Sequence, residues 1–320
     1  MPAAHLDVDA LVAAARAGSP RAVARLVSLV ERADPALPAV MAALAPHTGS
    51  ARVVGLTGSP GVGKSTVAGA LVTAYRGRGL RVGVLAVDPS SPFSGGALLG
   101  DRVRMQEHAL DTQVYIRSMA SRGHLGGLAW STPQALRVLD GAGCEVVLLE
   151  TVGVGQSEVE VAGLADTTVV LLAPGMGDGI QAAKAGILEV GDVFVVNKAD
   201  REGAAATARE IRAMISLGDR SEPGLWRPPV LQTEAARNQG IDELVDALAA
   251  HRAWMAERGV LHHRRVRRAA GEIEAIALAR LRHRMAHPEH GAALDDLAGA
   301  VVDGRTDPYA AAERLIGALG

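Results

Sequence analysis

A glycine-rich segment joins an apolar, β-branched run to an Ala-rich helical stretch. It follows the run Arg52–Thr57 directly and reads Gly58, Ser59, Pro60, Gly61, Val62, Gly63, Lys64, Ser65 and Thr66. Glycines let successive backbone N–H groups turn inward around a phosphate, and the start of a helix adds the positive end of its dipole. A lysine contributes a point charge, and a serine hydroxyl reaches a magnesium ion. The segment therefore predicts a complete phosphate-binding loop between a strand and a helix.

Further apolar runs predict a mostly parallel sheet, because each is followed by a helical stretch and parallel strands need such crossovers. Several runs are continuous rather than alternating, which indicates strands covered by helices on both faces, at the centre of the sheet. The predicted fold is a three-layer α/β/α P-loop domain, with ligands outside the carboxyl ends of the strands. The predicted strands are Arg52–Thr57, Arg81–Asp88, Val114–Ser118, Glu145–Thr151, Thr167–Ala173, Val193–Asn197 and Val230–Thr233, and the continuous runs lie at 53–54, 146–149, 169–172 and 193–196.

Helical segments are predicted on either side of this domain. Residues 1–49 read as a short helical extension, residues 50–258 as the P-loop domain, and residues 259–320 as a helical arm. The arm's first helix is expected from about Ala269 to Arg284, after the basic stretch 262–268. Its apolar stripe (Ile273, Ile276, Ala277, Leu281) must be buried, either on the domain or on a second copy of the chain.

The composition excludes several classes of function. With 33 basic and 35 acidic residues among 320, the formal net charge is −2, which argues against a nucleic-acid partner. The one cysteine, Cys144, cannot form an internal disulfide, and no apolar run reaches the ~20 residues that span a bilayer. We expect a cytoplasmic protein that is not embedded in a membrane.

A second motif indicates which base is bound. Asn197, Lys198, Ala199 and Asp200 close a predicted strand, about 130 residues after Lys64. An aspartate there can accept hydrogen bonds from the N1–H and N2–H groups of guanine, which adenine lacks. A site built to bond such donors rejects an analogue without them by up to ~10⁴-fold. The motif therefore predicts a guanine nucleotide.

Acidic residues at the ends of two other strands are candidate magnesium ligands. Glu150 follows a buried run and precedes a glycine-rich turn in which the Gly153 amide can sense a γ-phosphate. Asp88 closes a strand expected to lie beside the one that leads into the phosphate loop. Asp101 follows a segment rich in Ser, Pro and Gly.

Taken together, these motifs resemble the MeaB/ArgK (MMAA-like) family of P-loop GTPases over essentially the whole chain. The likeness rests on the segments 150–158, 87–92, 100–105 and 197–200. The resemblance implies a homodimeric chaperone that uses GTP binding and hydrolysis to gate adenosylcobalamin loading and to protect or rescue a cobalamin-dependent acyl-CoA mutase. Methylmalonyl-CoA mutase is the expected client. The implied cofactors are GTP/GDP and Mg²⁺, whereas adenosylcobalamin belongs to the partner mutase.

The resemblance also assigns roles to individual residues. It gives Ser65, Asp88, Asp101 and Glu150 to magnesium; Gly58–Thr66 and Gly153 to the phosphates; Asn197, Lys198, Asp200, Thr233, Glu234 and Ala235 to guanine; and Lys64, Asp88 and Glu150 to catalysis. It further identifies Asp178, Gln181 and Lys184 as a switch that couples nucleotide state to the mutase. Glu234 departs from the family pattern, which usually has a small residue there, so the resemblance implies the same nucleotide but different detailed contacts with the base.

Two other functions keep the same nucleotide site. One is regulation of arginine or ornithine transport, as the ArgK name implies, and the other is metal insertion into urease or hydrogenase. The metal-insertion families usually carry Cys/His stretches near the phosphate loop, and this chain has none. No glutamine directly follows Gly153 to orient the attacking water, so we expect slow intrinsic GTP turnover that a partner stimulates.

Overall fold

The computed structural model describes residues 6–88, 106–108, 110–120, 131–151, 157–175, 187–217, 224–285 and 288–319. Backbone proximity divides the chain into two compact units, Met1–Arg264 and Arg265–Gly320. The helices and strands of the first unit are α1 (Val8–Arg16), α2 (Pro20–Glu31), α3 (Leu37–Leu44), β1 (Arg52–Thr57), α4 (Lys64–Gly77), β2 (Val82–Asp88), β3 (Val114–Ala120), α5 (Thr132–Gly141), β4 (Val146–Thr151), α6 (Ser157–Leu164), β5 (Thr167–Leu172), α7 (Ile187–Val190), β6 (Val193–Asn197), α8 (Ala204–Leu217), β7 (Val230–Thr233) and α9 (Ile241–Glu257).

Within the described part of the chain, one parallel sheet has seven strands in the order β3-β2-β4-β1-β5-β6-β7. This confirms the predicted P-loop fold, and every predicted strand is present with ends within two residues of the expectation. The four continuous apolar runs form β4, β1, β5 and β6, which are neighbours inside the sheet. Successive side chains of these strands enter opposite cores, so both faces are buried.

Helices cover the two faces of the sheet as separate layers. On one face, α4 and α9 pack against Val54, Leu148 and Leu171. On the other face, α1–α3, α5 and α6 pack against Val147 and Leu149, and α8 packs further along the sheet. The sheet therefore lies between two helical layers, and its strand ends are left to the loops.

One sequence expectation about strand order is wrong. Asp88 was expected to end a strand adjacent to β1, but β2 pairs with β4, and β4 pairs with β1. Sequential strands are neighbours only about two-thirds of the time. Glu150 therefore ends β4, the neighbour of the strand that leads into the phosphate-binding loop. Asp88 ends β2, one strand further away.

An ion-pair cluster ties the amino edge of the sheet together. Asp192, directly before β6, accepts two hydrogen bonds from Arg264 at 2.9 Å and one from the Thr168 amide at 2.9 Å. His251 of α9 is fully buried beside it, and the Trp226 Nε1–H donates to the Asp192 carbonyl at 2.7 Å. The burial and pairing of these groups identify the cluster as structural, at the edge opposite the strand ends that carry the motifs.

The C-terminal helices are α10 (Val260–Met285), α11 (Pro288–Val302) and α12 (Pro308–Leu319). Within the second unit, α11 and α12 pack on each other and bury Ala300, Ala311 and Leu315. The prediction that α10 begins near Ala269 is wrong, because the basic stretch 262–268 already belongs to the helix. Arginine is a good helix former, and nothing after Gly259 interrupts the helix.

Candidate nucleotide site

The phosphate-binding loop lies between β1 and α4. Three of its glycines have positive φ, namely Gly58 at 139°, Gly61 at 81° and Gly63 at 95°. A Cβ on Gly58 would lie 2.2 Å from the Leu171 carbonyl oxygen, so a larger residue does not fit there. The loop thus has the conformation that only glycine adopts freely, and α4 begins immediately after it.

Lys64 is the first residue of α4, and its side chain folds back over the loop. Its ammonium group donates to the carbonyls of Gly58 at 2.8 Å and Ser59 at 3.1 Å, and the residue is buried. A cation placed here faces the cradle in which the loop amides and the helix dipole favour an anion. The Lys64 ammonium group and the start of α4 therefore both lie beside the loop.

Ser65 and Glu150 bring two oxygen ligands together beside the loop. The Ser65 hydroxyl donates to Glu150 Oε1 at 2.6 Å, and both side chains are buried. The pair forms because β1 and β4 are neighbours, with Leu56 level with Glu150. Hydroxyl and carboxylate oxygens are the hard ligands that Mg²⁺ prefers, so these residues fit that ion.

Several predicted site residues fall outside what the structure describes. Asp88 is placed by its backbone at the end of β2, level with Ala120, but its side chain is not described. Asp101, Gly153, Asp178, Gln181 and Lys184 lie outside the described residues. Their assigned roles remain predictions.

The Asn197–Asp200 turn contacts the phosphate-binding loop directly. The buried Asn197 side chain donates from Nδ2 to the Val62 carbonyl at 2.9 Å. The Lys198 ammonium donates to the Gly61 carbonyl at 2.6 Å, and Lys198 has a φ of 59°. Asp200 is exposed at the end of the turn.

The segment after β7 completes this group of loops. Asn197 Oδ1 accepts from the Thr233 hydroxyl at 3.1 Å and from the Ala235 amide at 3.2 Å. The Ala199 amide donates to the Thr233 carbonyl at 3.0 Å. One buried amide side chain thus joins three segments that lie far apart in the sequence.

Glu234 is partly buried, and its carboxylate pairs with the Arg237 guanidinium at 2.8 Å. Arg237 belongs to none of the predicted motifs. Its i, i+3 spacing from Glu234, at which residues of a helical turn are neighbours, was the available signal for this pair.

A family model described as methylmalonyl-CoA mutase-associated GTPase MeaB matches residues 23–290. The chain belongs to the MeaB family. It is accordingly a P-loop GTPase, and this confirms the family resemblance, the GTPase activity and the guanine nucleotide that the sequence predicted.

Named relatives agree with this assignment. A Pyrococcus abyssi protein named as a GTPase is 44% identical over 310 residues, covering 97% of this chain and 96% of its own length. GTPase ArgK of Escherichia coli is 38% identical over 252 residues, covering 77% of this chain and 76% of ArgK. The mouse mitochondrial protein named methylmalonic aciduria type A homolog is 37% identical over 271 residues, covering 83% of this chain and 65% of its own length.

Among solved structures, one titled LAO/AO transport system kinase superposes over 99% of both chains, with a TM-score of 0.72 and 26% identity. Its whole-chain match supports the same fold. Among the residues that the structure describes, no helix is long and apolar enough to cross a membrane, and no three His, Cys, Asp or Glu side chains form a metal-binding group.

Proposed function

We propose that this MeaB-family GTPase is a chaperone of an adenosylcobalamin-dependent acyl-CoA mutase, with methylmalonyl-CoA mutase as its client. The proposed binding of a guanine nucleotide is supported by the hydrogen bonds of the Asn197 side chain. They join the phosphate-binding loop to the turns proposed to read the base. The client is supported by the family's description as mutase-associated. Gating of adenosylcobalamin loading and protection of the mutase are the proposed outcomes of the GTP cycle.

The loop residues act by position and charge. Phosphoryl transfer needs little covalent work from the protein, so neutralising the developing charge is the main task. Lys64 exchanges its two carbonyl acceptors, Gly58 and Ser59, for phosphate oxygens when the nucleotide enters. Asp200 accepts from the base, which gives the preference for guanine over adenine.

Ser65 and Glu150 would hold Mg²⁺, together with Asp88 at the end of β2 and Asp101 from the segment that follows it. The ion supplies charge neutralisation at the phosphate oxygens when it is bound. Glu150 holds the Ser65 hydroxyl at 2.6 Å and thereby orients its oxygen beside the loop. Lys64, Asp88 and Glu150 are the proposed catalytic group, and Gly153 the proposed γ-phosphate sensor.

Asp178, Gln181 and Lys184 are proposed to transmit the nucleotide state to the mutase. The chain reaches them from β5, which is paired with β1 up to Val170 opposite Thr57. A parallel neighbour of β1 leaves the sheet at the same edge as the phosphate-binding loop. This placement supports a switch that starts next to the nucleotide.

The second unit supports the proposed homodimer. Several of its apolar side chains are exposed in the single chain: Val266, Ile273, Leu278, Leu281, Leu294, Val302, Tyr309 and Ile316. Ile273, which is 68% exposed, lies on the stripe identified in the sequence. An apolar stripe on an exposed helix favours burial against another protein surface.

Light scattering tests the homodimer. We expect a dimer for the wild type and a shift toward monomer for Ile273→Glu. The matched control is Ala275→Glu, also exposed but on the opposite side of the helix. A dimer that survives Ile273→Glu, or a monomeric wild type, would contradict this assignment.

The client is tested by GTP hydrolysis with purified protein, alone and with each adenosylcobalamin-dependent mutase, including the isobutyryl-CoA and ethylmalonyl-CoA enzymes. We expect slow turnover alone, stimulation by methylmalonyl-CoA mutase, and no turnover of ATP. Asp200→Ala should weaken GDP binding and leave ADP binding unchanged. No stimulation by any mutase, despite tight GTP binding, would overturn the client and leave the GTPase in place.

Regulation of arginine or ornithine transport is the second candidate. The observation that favours it is the likeness to the structure titled LAO/AO transport system kinase. Co-purification with a transport component, without any mutase, would support it over the chaperone role.

A further inference from the structure

The turn after β7 carries a second carboxylate next to the proposed guanine site. The Glu234 amide donates to the Gln239 carbonyl at 3.0 Å, and the Gln239 amide donates back at 3.2 Å, so the turn is closed at its base. The Glu234 side chain is only 13% exposed, and the guanidinium of Arg237, inside the same turn, lies 2.8 Å from its Oε1. Glu234 is therefore held as an ion pair within the turn.

This turn is bound to the one that ends in Asp200. The Ala199 amide donates to the Thr233 carbonyl at 3.0 Å, and the Ala235 amide donates to Asn197 Oδ1 at 3.2 Å. Glu234 lies between the two residues that make these contacts, Thr233 and Ala235. Two carboxylates, Asp200 and Glu234, thus belong to adjoining turns.

A base-reading carboxylate works only while its oxygens are free to accept hydrogen bonds from the base. A second free carboxylate in the adjoining turn would compete for the same N–H donors. Arg237 prevents this competition, because its guanidinium lies 2.8 Å from Glu234 Oε1 and neutralises that carboxylate.

We propose that Arg237 is a positioning residue of the guanine site, acting through Glu234. The inference rests on the proposed role of Asp200. It adds a residue that controls nucleotide affinity without touching the nucleotide.

A double-mutant cycle on GDP affinity tests this proposal, with Arg237→Gln, Glu234→Gln and the double variant. Arg237→Gln should weaken GDP binding by ~5-fold, the size of a partly exposed charge interaction of ~1 kcal/mol. The double variant should bind GDP about as tightly as Glu234→Gln alone and more tightly than Arg237→Gln, because Arg237 then has no Glu234 charge left to neutralise. Arg209→Gln, an exposed arginine of α8, is the matched control for loss of one positive charge.

Kinetics separate this role from a general structural one. Arg237→Gln should raise the KM for GTP and leave kcat unchanged, because its turn adjoins the base-reading turn and not the proposed Mg²⁺ ligands. ADP binding should be the same in all variants. Thermal unfolding checks that each variant is folded.

The inference is overturned if Arg237→Gln binds GDP like the wild type, or if the double variant stays as weak as Arg237→Gln. Failure of the proposed function has a different signature. In that case the wild type would not prefer GDP over ADP, or Asp200→Ala would bind GDP normally.

Discussion

Mild acid should destabilise this protein through His251, which lies far from the nucleotide site. Its Nδ1 is 2.9 Å from the Thr167 hydroxyl, its Nε2 is 3.4 Å from an Asp192 oxygen, and its ring lies 4.7 Å from that of Trp226. Burial lowers the pKa of His251 to about 4, since the neighbouring Asp192 only partly offsets the loss of water and Arg264 opposes charging further. Asp166 is the remaining charged neighbour and raises this pKa slightly.

The sign and size of the effect follow from proton linkage. In the unfolded chain His251 titrates near its ordinary pKa of about 6.5, so below that pH the unfolded state takes up a proton that the folded state refuses. Stability is therefore lost as the pH falls through about 6.5, and the loss levels off below about 4. Between pH 7.5 and pH 5 this one group should remove about 2 kcal/mol from the free energy of unfolding.

Urea unfolding at these two pH values measures the effect, with tryptophan fluorescence as the signal because Trp226 and Trp254 contact His251. Carboxylates also titrate in this range, so the informative quantity is the difference in pH dependence between the wild type and His251→Asn. His262→Asn, which alters an exposed histidine, is the control and should keep the wild-type dependence. If His251→Asn loses as much stability between the two pH values as the wild type, the reasoning is refuted.

Three further substitutions probe the site and its support. Gly63→Ala places a Cβ 2.4 Å from Asn197 Nδ2, at a backbone φ of 95° that alanine rarely adopts. We expect at least ~10-fold weaker GDP binding, measured by titration, and a loss of ~2 kcal/mol in the free energy of unfolding, measured by denaturation. Glu150→Gln keeps the shape of the side chain beside Ser65 but removes its charge, so GTP turnover should need at least ~10-fold more Mg²⁺. An unchanged Mg²⁺ titration would contradict the role of Glu150 as a magnesium ligand. Asp140→Ala removes an acceptor for the amide that precedes β1, at 2.9 Å, and should cost ~1–2 kcal/mol in urea unfolding with unchanged GDP affinity.

The local sequence pattern was sufficient to predict the strands and the phosphate-binding loop. Apolar runs such as Val146–Leu149 are continuous because helices cover both faces of the sheet. Side chains on both faces of these strands are therefore kept from water. The loop could be predicted because its glycines, lysine and serine are consecutive in sequence, so their geometry depends on a few backbone angles.

Contacts between distant segments were only partly predictable. The sequence placed Asp88 and Glu150 at strand ends, but it misjudged which strand adjoins β1, because strand order depends on how the crossover helices pack. It predicted separate phosphate and base motifs, yet nothing in either motif shows that Asn197 donates to the Val62 carbonyl. The start of α10 was placed too late because a run of basic residues was read as a lead-in to the helix rather than as part of it.

The sequence by itself therefore determined the fold class, the phosphate-binding loop and the guanine motif, since each depends on residues that are close in the chain. Only the tertiary structure decided that Glu150 meets Ser65, that Asn197 joins three loops, and that His251 is enclosed beside Asp192. These contacts join residues about 40 to 135 positions apart. They form because parallel strands bring their ends to a common edge, and the packing of the helices on both faces sets which strands are neighbours.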